Sequence, residues 1–292
     1  MLATIGTHSF TYPNSPDELT IGQWIDFIRA YGLQLDAQAD LIAGMEPGYG
    51  QTLSGIQLYA ERAFAVAAFF SGLDIEVAKA EMPLPAVTHL YRAEFSKCFR
   101  INDDVLFMDH DGIEYVLPEP HLSQASTMTF GEVIDSKVML YNANVLEWTR
   151  WELIRMLCAI FLRPEGDPYR EEYGYLDGAR AEAMNNYPIR AALLVSGWYE
   201  TLNRFLEGSF TIFQDSNIKS GHHMKAHFSA WGWVNFLKTI AKTKVFDIPG
   251  SGLNSIDCAR ISKAYDVLLY ASEEKGYSEA LTADFESKNH TK

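Results

Sequence analysis

NANVLEWTRWELIRMLCAIFLRP, residues 142–164, carries more apolar surface than a single helix stripe can use. Val145, Trp148, Trp151, Leu153, Ile154, Leu157, Cys158, Ile160 and Phe161 spread around the helical wheel, which predicts a helix with neighbours on two sides. Asn144, with Glu147 three residues on, has the form of an N-terminal capping box, in which each side chain satisfies a backbone donor at the helix start. Pro164 ends the run. A central helix of this kind needs other helices around it, and its flanks should supply them.

Downstream, RPEGDPYREEYGYLDG (163–178) is broken by prolines and glycines and kept in water by its charges, so it reads as a loop. Tyr169, Tyr173 and Tyr175 in that loop, with Trp148, Trp151, Trp198 and Tyr199 on the adjoining helices, are the candidate interface residues. Tyrosine and tryptophan offer large contact area at low entropic cost. Packing onto the chain itself is the competing reading for each ring. After a short helix near 177–186, NNYPIRAALLVSGWYETLNRFLEG (185–208) starts at Pro188 and ends at Gly208. Two further helical stretches follow, GHHMKAHFSAWGWVNFLKTIAKTK (221–244) and a helix from about Ser255 to a stop at Gly276, with the last dozen residues expected to fray.

Upstream, an irregular leader precedes an amphipathic helix marked by Ile21, Trp24, Ile25, Ile28 and Tyr31, and then IQLYAERAFAVAAFFSG, an Ala-rich buried helix closed by Gly72. The two prolines of EMPLPAVTHLYRAEF (81–95) point to extended structure. In DDVLFMDHDGIEYVLPEP (103–120) apolar and polar residues alternate about Asp111-Gly112, which predicts a hairpin over about 104–117, with strands near 89–101 and 121–130 beside it. The expected fold class is therefore α+β, mostly α-helical, with a small antiparallel β element near 88–130. Four regions follow: an N-terminal helical region 1–87, the β element 88–130, a central helical body 131–213 and a C-terminal helical part 214–292, the last divided from the body around 213–222.

Composition narrows the function. The chain has 292 residues, 48% of them apolar, and a formal charge of −14, which repels a phosphate backbone and argues against nucleic acid. The longest greasy run, FAVAAFFSGL, is too short to span a bilayer, and the start lacks a signal-like pattern, so no membrane partner is expected. Cys98, Cys158 and Cys258 are odd in number and unpaired in spacing, which suits a reducing compartment. Phosphate loops and nucleophile elbows are absent from the sequence. Asp109 and Asp111 lack the further oxygens that a calcium loop needs. His223 and His227 stand four apart, as a metal site on a helix would require, but Met224 occupies the place of the catalytic glutamate in HExxH. They read as helix-start and surface residues, a metal-dependent enzyme using the HHxxxH segment being the alternative of another class. No cofactor and no catalytic residue is expected.

MTFGEVIDSKVML (128–140), WELIRMLCAIFLRP (151–164) and EAMNNYPIRAALLVSGWYETLNRFL (182–206) together resemble the tail assembly chaperones and related minor structural proteins of tailed bacteriophages, with LTIGQWIDFIRAYG and FAVAAFFSGLDIE as companions upstream. The resemblance implies a non-enzymatic morphogenesis protein that acts through protein–protein contacts, most simply a chaperone binding the tape measure protein and delivering it to tail tube subunits. It implies the host cytoplasm during assembly, or the virion, as the place of action, and allows a homo-oligomer. The long C-terminal part and the central hairpin depart from the simple pattern and leave a virion neck, connector or tail-completion protein as the alternative.

Overall fold

The computed structural model describes residues 1–31, 53–99, 107–119, 127–167, 179–213 and 222–290. These residues form eleven α-helices, a two-stranded antiparallel sheet and a three-stranded one, so the fold is mostly helical α+β. The leader is more regular than its sequence suggests. β1 (Leu2–Ile5) and β2 (His8–Thr11) pair as a hairpin whose turn uses Gly6 at φ 62, and their inward residues Ile5 and Phe10 are buried.

Helix α1 (Ile21–Tyr31) starts at a reciprocal cap: Gln23 N–H donates to Thr20 Oγ1 at 3.2 Å and Thr20 N–H to Gln23 Oε1 at 3.0 Å. Its second residue is glycine at a close approach: a Cβ on Gly22 would stand 3.0 Å from both the Cβ and the carbonyl oxygen of Asn185, so a larger residue would press the two segments apart. Helix α2 (Leu53–Ser71) buries Ala63, Val66, Ala67 and Ala68 completely, and Gly72 closes it at φ 71 as its sequence suggests. Asp74 then caps α3 (Ile75–Glu81), accepting from Glu76 N–H at 2.8 Å.

The strand expected near 89–101 is not formed. Helix α4 (Leu84–His89) continues through a π turn at Leu90–Glu94 into a 3-10 helix at Phe95–Phe99. Pro83 is the N-cap and Pro85 lies in the first turn, where a missing N–H costs nothing, so the prolines begin a helix instead of excluding one. Among the described residues the strands within 88–130 are β3 (Phe107–His110) and β4 (Ile113–Val116), residues 100–106 and 120–126 lying outside the described part. Their turn is the one predicted: Asp111 and Gly112 both take positive φ, 53 and 73. β5 (Arg163–Pro164) adds to β4 from the end of the central helix.

The central stretch divides where its sequence suggests continuity. Helix α5 (Phe130–Val145) runs through Asn144, breaks at Glu147, whose φ is 52, and gives way to α6 (Arg150–Phe161). The capping box that forms is Thr149/Glu152: Thr149 N–H donates to the Glu152 carboxylate at 2.7 Å and Glu152 N–H to Thr149 Oγ1 at 3.2 Å. Thr129 and Glu132 cap α5 in the same way. Helix α6 then packs against α5 on one side and α8 (Ile189–Ser209) on the other, with α7 (Ala179–Ala183) beside it, as its all-round apolar surface requires.

Three helices complete the molecule: α9 (His222–Thr243), α10 (Ser255–Ile261) and α11 (Ala264–His290). The single helix expected over 255–276 is broken at Ser262-Lys263 instead, and Gly276 lies inside α11. Backbone competition decides both points. At the break, Phe130 N–H donates to Ser262 O at 2.8 Å and Ala264 N–H to Met128 O at 2.9 Å, whereas a helical glycine costs only about 1 kcal/mol. Helices α9, α10 and α11 all pack on α5, so one continuous core runs from the N-terminal hairpin to α11.

The aromatic centre of that core is Trp24, whose ring stands 5.1 Å from Phe27, 4.9 Å from Phe99 and 5.7 Å from Trp151, joining α1, the 3-10 segment and α6. Trp151→Ala should therefore lower stability by about 3–5 kcal/mol, read as a shift in denaturant midpoint at unchanged slope.

Candidate functional site

The candidate interface residues divide into inward and outward groups. Trp151, Trp198 and Tyr199, candidate interface residues by sequence, are buried and pack onto the chain itself: Trp198 stacks edge-on to Phe161 at 4.8 Å, and Tyr199 lies 5.9 Å from the same ring. Trp198 and Tyr199 fill the space between α6 and α8, while Trp151 faces Trp24 of α1, a division that a wheel apolar on several sides does not reveal. Tyr169, Tyr173 and Tyr175 lie outside the described residues. Trp148 is half-buried in the turn between α5 and α6. His223 and His227 lie on α9 one turn apart, with side chains outside the described set; among the described residues no three metal-ligating groups come together.

Around Trp148 the structure presents an apolar turn that its sequence does not single out. Val145 and Leu146 are 59% and 58% exposed, though both belong by pattern to a helix interior. The turn is held rigidly: Leu146 N–H donates to Asn142 O at 2.8 Å, Trp148 N–H to Ala143 O at 2.9 Å, and the Thr149 box follows directly. Arg150 reaches Glu200 of α8 at 2.6 Å, fixing the far side of the turn. Such an arrangement can offer grease to a partner without spending order on binding. The signal that could have found it is the second Thr-x-x-Glu pattern, which marks a helix start and so a turn before it.

Beneath the body lies a buried ionic group. Asp135 of α5 accepts from Arg260 Nη2 of α10 at 2.6 and 2.8 Å, and Glu132 faces Arg163 at 3.7 Å. Arg163 also donates to Thr127 O at 2.8 Å. Burial pushes the Glu132 carboxyl up to about 7, against the pull of Arg163 and the Thr129 hydrogen bonds, and its Oε1 has no hydrogen-bond partner. Burial also lowers the Lys137 ammonium, which donates to Asn203 Oδ1 at 2.8 Å and lies over the rings of Phe213 and Trp233. The thiols of Cys98 and Cys158 are pushed up by burial, the opposite of what a nucleophile needs. A recess of about 490 Å³ beside the N-terminal hairpin is walled by Tyr12, Phe69 and Phe70, and its carboxylate, Glu18, faces the Met1 ammonium at 3.7 Å.

These features define a mostly helical protein whose buried charged groups join its own elements and which presents an exposed apolar turn at Val145 and Leu146. Comparison with protein-family models, characterised proteins and solved structures yields no match for the chain. Among the described residues no helix is long and apolar enough to cross a membrane.

The raised Glu132 carboxyl has a definite linkage. The folded state holds the proton more tightly than the unfolded chain, so this group's contribution to stability is full below its ordinary value of 4.5 and is lost as pH rises through about 7. Glutamine can keep the cap to Thr129 and does not titrate. The stability of Glu132→Gln relative to the unaltered chain should therefore increase as pH rises across that window, and denaturant titrations from acid to neutral pH will show it.

Proposed function

We propose that the chain is a phage morphogenesis protein that makes and breaks no covalent bonds, and that it acts as a tail assembly chaperone for the tape measure protein. The reading rests on the family resemblance together with one observation: Val145, Leu146 and Trp148 form a rigid apolar turn facing outward from the helices that contain the resembling segments. Those segments are α5, α6 and α8, and α6 packs against each of the other two. A long tape measure chain is rich in amphipathic helix, and an apolar knob on a net-negative body can engage such a face while charge repulsion limits collapse of the complex. Action is in the host cytoplasm during assembly; retention in purified particles would instead make the protein a neck, connector or tail-completion component.

The test is co-expression with the longest helix-rich reading frame from the same gene neighbourhood. The expected result is that this polypeptide becomes soluble and co-purifies with the chain, and that Leu146→Asp combined with Trp148→Ala weakens the complex at least about tenfold while circular dichroism stays unchanged. A partner that remains insoluble, or binding that ignores both substitutions, overturns the reading.

A further inference from the structure

A second outward-facing feature lies at the C-terminal end of the described chain, and it has two complementary halves. Helix α11 holds to the body through Ala264, Val267, Leu268 and Ala271, all buried, but every described side chain from Gly276 onward is exposed. Glu273, Tyr277 and Leu281 recur every four residues and Glu274 precedes Leu281 by seven, so these four share one face of the helix. Tyr277 is 66% exposed and Leu281 52%. Glu279 is paired with Lys275 at 3.9 Å, whereas neither Glu273 nor Glu274 has an ion-pair partner among the described residues. The outer part of α11 thus carries two carboxylates at its base, Glu273 and Glu274, and the apolar Tyr277 and Leu281 beyond them.

The opposite character appears at the end of α9. Lys238, Lys242 and Lys244 are exposed and have no carboxylate partner among the described residues, and Lys244 closes the helix at φ 59. Tight turns carry the chain straight on to Val245 and Ile248, both exposed, through Asp247 N–H to Lys244 O at 3.2 Å and Ser251 N–H to Ile248 O at 3.2 Å. This patch sits beside the first third of α11, because Phe246 packs edge-on to Tyr270 at 5.7 Å. Glu273 and Glu274 lie only roughly 5 Å past Tyr270 along the helix axis, next to the patch, and Tyr277 and Leu281 roughly 10–16 Å past it, at 1.5 Å per residue, so patch and tip adjoin as one surface that a continuous helix cannot fold onto itself.

We propose that the occupant of each surface is a second copy of this chain: the acidic, apolar tip of α11 docks on the basic, apolar end of α9 in a neighbouring molecule. Since each chain carries both halves, two copies can exchange tips reciprocally and close as a pair. The net charge of −14 repels copies at long range, so association depends on this local match of opposite signs. The inference goes beyond the chaperone reading and stands or falls without it, because it concerns surfaces remote in sequence from Trp148 and needs no phage partner.

Light scattering and sedimentation of the full chain over about 1–100 µM test it. The expected result is a dimer that dissociates in about 0.5 M salt. Reversing the patch (K238E, K242E and K244E together) or the tip (E273K and E274K together) should weaken association at least tenfold, and Tyr277→Ser with Leu281→Ser should do so without changing charge. Mixing the two charge-reversed proteins in equal amounts should restore association, because each tip then meets a patch of opposite sign. A monomeric unaltered chain across this range, association that survives both reversals, or failure of the mixture to associate overturns the proposal. Circular dichroism separates lost association from lost folding.

Discussion

The burial of Trp24 holds this molecule together. Its indole is at once a neighbour of Trp151 on α6, of Phe99 at the end of the 3-10 segment and of Phe27 on its own helix. Three parts of the chain far apart in sequence therefore meet at one side chain, and each depends on the others to keep water out. Gly22, two residues earlier, lets α1 approach the turn at Asn185 closely enough for that to happen. Replacing either with a different volume would move α1 as a whole, since protein interiors are packed at crystal density and cannot absorb such a change locally.

Local chemistry that has no competitor was legible in the sequence. The Asp111-Gly112 turn, the left-handed close at Gly72 and the apolar periodicity of α1 each involve one backbone feature and one residue type suited to it. Where two local signals competed, pattern alone chose wrongly. Asn144 and Glu147 have the spacing of a cap, yet Thr149 and Glu152 form the cap instead; Gly276 looks like a stop, yet Ser262-Lys263 is the break, because a partner strand segment at Met128–Phe130 waits there. Pro83 and Pro85 show the same point from another side, since a proline can start a helix as readily as end one. Long-range partners are not written in any window of sequence.

The candidate site was only partly legible for a related reason. Large aromatic residues were the right place to look, but whether a ring faces a neighbouring helix or solvent depends on the packing of helices that are distant in sequence. Trp151, Trp198 and Tyr199 found neighbours; Trp148 kept one edge outward because the helix breaks just before it. Val145 and Leu146 are exposed by that same break, which no periodicity argument anticipates. The acidic composition, by contrast, was informative at once, and the structure shows how it coexists with a core: Asp135 and Glu132 are buried beside arginines while most other carboxylates face water.

The backbone bridge between Thr129 and Lys263 carries a consequence for how this chain can be divided. Helix α5 begins with its first amide donating to Ser262, so the start of the central body is completed by residues more than a hundred positions downstream. Cutting the chain in the connection after Phe213 would leave a fragment with an open amide at the head of α5 and a buried Asp135 stripped of Arg260. The C-terminal helices are therefore best regarded as a clasp built into the body. Synthesis must reach Arg260, Ser262 and Ala264 before the head of α5 can settle, so the central helices cannot finish folding as they are made.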